Sequence, residues 1–278
     1  MKRERYTEII RLTGLWRWLA LVPALAFSLS AFGQKIDAAP YQPLFSLPVS
    51  ASYFTVDRLG NIYLVTATNE VIKYDKSGRE SFRYSNNTLG QLSMIDATDP
   101  FNLLLYYPDL QVAITLDRTL NPTGSFNLYQ WDLVGVEAMA TAVDNHLWIY
   151  DQLNFRLLKV DAQGQVLVES NDLSLVFSTL PRPSSMRARG NRVYLNDPAQ
   201  GILVFDVFGQ YLQTLPLKGI TDFWFVKEQI AYQHKGHLYS YDLRSFHRVT
   251  TERPWQTPPQ GSGALRYFDC LAFEDKAF

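Results

Sequence analysis

The chain has 278 residues, 47% hydrophobic and 19% charged, with 15 Gly and 14 Pro, a balance that excludes a disordered, collagenous or multi-span membrane protein. A formal charge of −1, from 26 basic and 27 acidic residues, gives no electrostatic footprint for nucleic acid. The single cysteine, Cys270, excludes an intrachain disulfide framework and a multi-cysteine metal site.

Residues 1–17 carry Lys2, Arg3, Arg5, Arg11 and Arg17 against Glu4 and Glu8, and the stretch Leu19 to Phe32 has no charge. It ends in Ala31-Phe32-Gly33. A basic start, a short apolar run and a small-x-small site predict a secretory signal peptide over residues 1–33. The competing reading is an uncleaved anchor, but the run falls short of the roughly 20 residues a bilayer requires and contains Pro23. Gln34, not a cysteine, immediately follows the cleavage site, which argues against a lipoprotein. The mature chain, 34–278, would carry 21 basic and 25 acidic residues, with no transmembrane span and no pull toward an anionic surface. Export to the periplasm or envelope follows as the expectation.

The rest of the chain repeats. A strand-like run ending in an Asp-led turn recurs as VIKYDKSG (71–78), AITLDRTL (113–120), LLKVDAQG (157–164), ILVFDVFG (202–209) and LYSYDLRS (238–245). Asp75, Asp117, Asp161, Asp206 and Asp242 are thus 42, 44, 45 and 36 residues apart. Asp at the first turn position caps backbone N–H groups, and Gly supplies the positive φ that closes the turn. An upstream turn and strand accompany each run, as in DRLGN–IYLV and VDN–HLWIY. Each unit therefore supplies four short antiparallel strands, a to d, every 40 or so residues, the period of a β-propeller blade.

A four-stranded sheet cannot bury both faces alone, whereas blades stacked round an axis bury them on each other. A β-sandwich rarely repeats in this way, and a β-solenoid has shorter coils. The predicted fold is therefore all-β, a single β-propeller domain over 34–278. Its blade units run about 51–86, 90–128, 137–173, 184–219 and 220–253. The strand candidate at 43–50 and the tail at 263–278 are expected to close the ring as a composite sixth blade. A five-bladed ring is the second choice. The stretch RPWQTPPQGSG (253–263) reads as a linker.

The units, with their D-x-x-G-N-I-Y-L opening at Asp57 to Leu64, resemble NHL-like propellers of exported bacterial proteins. The segments at 99–120 and 202–219 look similar to a narrower group, uncharacterised exported propellers of Bacteroidetes. The resemblance covers roughly residues 45–250, implies the propeller fold, and transfers no catalytic motif.

The chain contains no G-x-S-x-G elbow, H-E-x-x-H helix or P-loop, so no catalytic residue, metal ligand or cofactor is assigned. His234 and His237 flank a Lys-Gly hairpin turn, whose cation opposes a metal. The recurring aspartates read as turn caps, spread over successive blades. Asn86-Asn87-Thr88 reads as a polar loop, and Ser184 and Arg187 as a loop residue and a snorkelling cation.

In an antiparallel blade the a–b and c–d turns share one face of the disc, and the b–c and d–a loops the other. The first set is regular here; the second varies, which makes it the candidate recognition face. Its b–c members include TATNE (66–70), YPDLQ (107–111), DQLNF (151–155), DPAQG (197–201) and QHKGH (233–237). Its d–a loops carry Tyr129, Trp131, Phe177 and Arg182, residue types suited to interface anchors. The candidate partner-binding residues are Tyr107, Asp109, Tyr129, Trp131, Asp151, Asn154, Arg182, Asp197 and His234. For Trp131 and Phe177 the competing reading is a plug between blades. The leading expectation is a non-catalytic scaffold, monomeric alone, binding a cell-envelope protein or glycan. The alternative is a metal-dependent, lactonase-like hydrolase or lyase, its channel ion held by Asp109, Asp151, Asn154, Asp197 and His234.

Overall fold

The computed structural model describes residues 45, 47, 49–235, 237–245 and 248–251. The chain divides into two units, Met1–Pro40 and Tyr41–Phe278, and every described residue belongs to the second. The expected signal peptide (1–33), the linker at 253–263, the tail at 263–278 and Cys270 lie outside the described residues.

Among the described residues, twenty short strands form five four-stranded antiparallel sheets, each paired in simple chain order. Blade 1 consists of β1 (Ala51–Val56), β2 (Ile62–Thr66), β3 (Val71–Tyr74) and β4 (Glu80–Tyr84), and blade 2 of β5 (Met94–Asp96), β6 (Leu103–Tyr107), β7 (Val112–Leu116) and β8 (Pro122–Asn127). Blade 3 consists of β9 (Met139–Thr141), β10 (Leu147–Asp151), β11 (Arg156–Val160) and β12 (Val166–Glu169). Blade 4 holds β13 (Ser185–Arg189), β14 (Arg192–Asp197), β15 (Gly201–Asp206) and β16 (Tyr211–Leu215). Blade 5 holds β17 (Phe223–Val226), β18 (Gln229–His234), β19 (His237–Asp242) and β20 (Arg248–Thr251).

Burial explains the sequence of each strand. The second strand of a blade is covered on both sides by neighbouring blades, so β6 (LLLYY) and β10 (LWIYD) are buried throughout. The fourth strand lies at the rim, and β4, β8 and β12 are mostly exposed. In blades 1–4 the pairing of the third and fourth strands shifts register by a bulge, which blunts an edge that could recruit another chain.

Four apolar clusters fill the clefts between consecutive blades. Tyr63 and Val71 meet Leu105 and Tyr107 between blades 1 and 2, and Leu104 and Tyr106 meet Met139 and Ile149 between blades 2 and 3. Trp148 and Tyr150 meet Leu195 and Phe205 between blades 3 and 4, and Tyr194 and Val204 meet Phe223 and Tyr232 between blades 4 and 5. Blade 5 reaches blade 1 through Phe54 and Trp224, stacked with ring centroids 6.0 Å apart.

The described residues thus form five blades, the second choice of the sequence reading, and not six. Phe45, Leu47 and Val49 pack on Ala51, Ile62, Leu64, Ile72 and Tyr74 of blade 1. Their backbone turns on itself, Val49 N donating to Leu47 O at 2.9 Å, instead of laddering as a strand.

The recurring aspartates are turn caps. Asp75 Oδ1 accepts from the N–H of Ser77 and Arg79, Asp117 Oδ1 from Thr119 and Asn121, Asp161 Oδ1 from Gln163 and Gln165, and Asp206 Oδ1 from Phe208 and Gln210. Hydrogen bonds from the Thr119 hydroxyl and the Asn121 N–H lower the Asp117 carboxyl to about 2, and those from Ser77 and Arg79 hold Asp75 below its ordinary range. A carboxyl so lowered contributes stability that is complete above its unfolded value of about 4 and is lost as pH falls through its folded value. The melting temperature is therefore expected to stay level down to about pH 5 and to fall between about pH 4 and 2. Thermal melts across that window check it; a level Tm down to pH 2 would contradict the capping account.

Candidate functional site

The innermost strands of blades 1–4 and the entry of blade 5 meet in one polar knot. Arg187, third residue of β13, is 3% exposed. Its Nη2 donates to both carboxylate oxygens of Asp222 at 3.1 Å and to the Tyr53 hydroxyl at 3.4 Å, and its Nη1 donates to Met186 O at 3.0 Å. The Tyr53 hydroxyl in turn donates to Asp222 Oδ2. Nε of Arg187 lies 3.9 Å from Asp96 of β5, whose other oxygen accepts from Thr141 N of β9 at 3.2 Å. Burial opposes the Arg187 charge, but Asp222, Tyr53 and Asp96 outweigh it and its ionisation is pushed up. Burial and then the Asp222 charge push the Tyr53 phenol up as well, so it remains a neutral donor. Each member has its partners inside the knot, so the arrangement fastens the blades and presents no free nucleophile. Sequence reading missed it: Arg187 is a buried latch and not a snorkelling cation.

A second feature lies on the b–c and d–a face. After β8 the chain makes a 3-10 turn, Leu128–Trp131, and after β12 another, Leu173–Leu175. Both are built alike. Asn127 Oδ1 caps the first by accepting from Tyr129 N, and Asp172 Oδ1 caps the second by accepting from Ser174 N. Buried Leu128 N donates to Gln111 O at 2.8 Å, and buried Leu173 N to Phe155 O at 2.7 Å, tying each turn to the b–c loop of its own blade. Gln111 and Phe155 both hold φ +50, the left-handed conformation that aims the carbonyl there. The side chains left outside include six large apolar ones: Leu110, Tyr129 and Val134 on blade 2, and Leu153, Leu175 and Val176 on blade 3. Leu153 is 65% and Leu175 85% exposed. Their signal is visible as leucine in loops, whereas the candidates taken from sequence are aromatic, charged or polar loop residues.

Several of the residues selected from sequence have other duties. Tyr107 is fully buried in the blade 1–2 cleft, its phenol pushed up by burial and by the neighbouring Tyr84, which removes it from any contact surface. Asp151 is 3% exposed and bonds Asn154 Nδ2 at 2.8 Å and Arg156 Nε at 2.9 Å. Burial opposes its charge, yet these bonds hold its carboxyl below the ordinary range. Asp197, 2% exposed, accepts from Ala199 N at 2.7 Å, Gln200 Nε2 at 2.9 Å and Arg182 N at 2.9 Å. His234 Nδ1 pairs with Gly219 O at 2.9 Å, and its backbone pairs with His237 in the expected hairpin. Asp109, Asn154, Tyr129 and Arg182 are exposed, though Asp109 also accepts from Gln91 N at 3.0 Å. Among the described residues no group of three or more His, Cys, Asp or Glu side chains could hold a metal. Of the five residues offered for a channel ion, Asp151, Asn154 and Asp197 are bonded within their own turns and Asp109 and His234 to neighbouring loops, and the guanidinium of Arg187 occupies the meeting point of the inner strands.

Trp131 is a wedge. Its ring is tilted 48° against that of Phe126, centroids 5.9 Å apart, and lies over Gly164, where an added Cβ would come within 2.2 Å of it. Phe177 packs edge-on to Tyr211 at 4.9 Å. Trp131→Ala is therefore expected to cost about 2 kcal/mol or more, with a visible fall in Tm, and Tyr129→Ala less than about 0.5 kcal/mol. Equal losses in urea melts of the two variants would contradict this assignment.

No protein-family profile matches the chain, and no curated protein matches it in sequence. Solved structures do. A nidogen/laminin complex matches at 13% identity and TM-score 0.52, covering 70% of this chain and 77% of that one. A catalytically inactive virginiamycin B lyase from Staphylococcus aureus with quinupristin matches at 10% identity and TM-score 0.51, covering 77% and 74%. The Pan2 WD40 domain of Neurospora crassa matches at 13% identity and TM-score 0.50, covering 76% and 68%. The chain is a β-propeller. At these identities the likeness extends to the fold alone. Among the described residues no helix is long and apolar enough to cross a membrane.

Proposed function

We propose that this chain is a non-catalytic, NHL-like propeller scaffold, exported to the cell envelope, that binds a protein partner through the b–c and d–a face of blades 2 and 3. The observation that carries the reading is the pair of apolar platforms, held out by two similarly built 3-10 turns on adjacent blades. Hydrophobic side chains exposed in one sector and rimmed by polar groups mark a docking surface. Aliphatic Leu and Val favour a protein over a glycan, which would ask for aromatic rings and convergent hydrogen-bond donors. Export rests on the leader-like residues 1–33, and the likeness to exported Bacteroidetes propellers on the segments at 99–120 and 202–219. Two of the similar folds are described as lyases. A lyase reading here would have to recruit residues already committed to turns and to the Arg187 knot.

The test is cross-linking in intact cells expressing the tagged full chain, followed by capture. The double variant Leu153→Ser/Leu175→Ser is expected to lose the partner by about tenfold or more while its Tm changes little, since both side chains are exposed. Capture unaffected by the variant, or an empty capture from abundant folded protein, would overturn the reading. So would a stoichiometric metal whose removal abolishes an activity.

A further inference from the structure

We infer that the partner presents a basic amphipathic segment, apolar on one side and rich in Lys or Arg on the other, to the blade 2–3 platforms. This rests on the docking face proposed above and adds the chemistry of its occupant. The platforms are built from four segments, 107–111, 128–137, 151–155 and 170–177. Together these segments carry Asp109, Asp132, Glu137, Asp151 and Asp172 and contain no Lys, Arg or His. Asp151 is buried and paired with Arg156, which also holds Glu169 at 2.7 Å. The other four carboxylates are exposed, and among the described residues none of them belongs to an ion pair within 4.0 Å. They neighbour the apolar side chains along the chain: Asp109 is next to Leu110, Asp132 and Glu137 lie on either side of Val134, and Asp172 caps the turn bearing Leu175.

An apolar surface edged with unpaired negative charge complements a segment that offers both apolar contact and cations. The same charge repels the occupants that an apolar patch alone would permit. Nucleic acid and an anionic bilayer both carry the wrong sign. The loops beyond Phe177 carry both signs, Arg182 and Lys218 together with Asp197 and Asp222, so the purely acidic stretch is confined to the four platform segments.

The test uses the full chain and a fluorescein-labelled 14-residue peptide, LKKLLKLLKKLLKL, with a twin in which every Lys is Glu. Anisotropy titrations are expected to show the Lys peptide binding about tenfold or more tighter than the Glu twin, with affinity falling as salt rises. Leu153→Ser/Leu175→Ser, and separately Asp132→Asn/Glu137→Gln, should each weaken the Lys peptide by about tenfold. The second pair is exposed and removes only charge, so it stands even if the first perturbs the loops. Equal binding of the two peptides, no binding of either, or full affinity in the Asp132/Glu137 variant overturns the inference. So does self-association through the face, read as a rise in sedimentation mass that the leucine variant abolishes. If cellular capture depends on Leu153 and Leu175 while the Lys peptide fails, the docking face stands and its basic occupant does not.

Discussion

Replacing Arg187 with alanine is expected to destabilise the protein by about 3–5 kcal/mol, because removing one partner of a buried pair leaves the other charge uncompensated. Asp222 loses its cation, and Tyr53 loses one of its two neighbours in the knot. The loss has a definite place. Tyr53 belongs to blade 1 and Asp222 to the entry of blade 5, so Arg187 of blade 4 fastens the first blade to the last. Without that fastening the first and last blades are joined, among the described residues, only by the Tyr53–Asp222 hydrogen bond and the Phe54–Trp224 stack, and the terminal blades can fray. Limited proteolysis of the variant should therefore cut first in blades 1 and 5, ahead of blades 2 and 3. The triple change Arg187→Met/Asp222→Leu/Tyr53→Phe removes the charges and the phenol together and should recover most of the loss, since an apolar replacement of a whole buried network is often neutral. Urea unfolding of the three proteins decides the matter. A loss under about 1 kcal/mol for Arg187→Ala would mean that apolar packing alone closes the ring.

The turn chemistry made most of the fold legible. Asp75, Asp117, Asp161, Asp206 and Asp242 announced five hairpins because a carboxylate that caps two N–H groups is needed wherever such a turn recurs. Blade number was harder to read. Phe45, Leu47 and Val49 have the apolar spacing of a strand, and only their packing on blade 1 shows that they cover a face instead of extending a sheet. Arg187 was misread because snorkelling and burial look alike in one sequence; what separates them is a pair of carboxylates about 90 residues upstream and 35 downstream, Asp96 and Asp222. On the candidate face, Tyr107, Asp151 and Asp197 were chosen for residue type, and each proved to serve the blade that carries it. Leu153 and Leu175 are not legible in the sequence, because a leucine in a loop reads as ordinary until its neighbours' hydrogen bonds show that it is held outward.

Trp148→Ala should cost about 3–5 kcal/mol, the range for deleting a fully buried large aromatic. Trp148 is 2% exposed in the cleft between blades 3 and 4, packed with Tyr150, Leu195 and Phe205, with Lys159 Nζ 5.8 Å from its ring centroid. Trp148→Phe keeps much of that contact and should cost about half as much. The shape of the transition matters as much as its midpoint. In an open stack of repeats a weakened interface divides the molecule, and the two parts unfold separately. In a ring fastened at Arg187 the blades on either side of the cleft stay joined round the other way. Trp148→Ala is thus expected to unfold in one step, with far-UV and near-UV signals coinciding, whereas Trp148→Ala/Arg187→Ala should give two. This variant also separates fold from recognition. Leu153, on the same blade, faces solvent, so Trp148→Ala should lower Tm and leave partner capture intact below the transition, the reverse of Leu153→Ser/Leu175→Ser. If both variants moved Tm and capture together, the platform would be part of the core and the recognition face would have to be sought elsewhere.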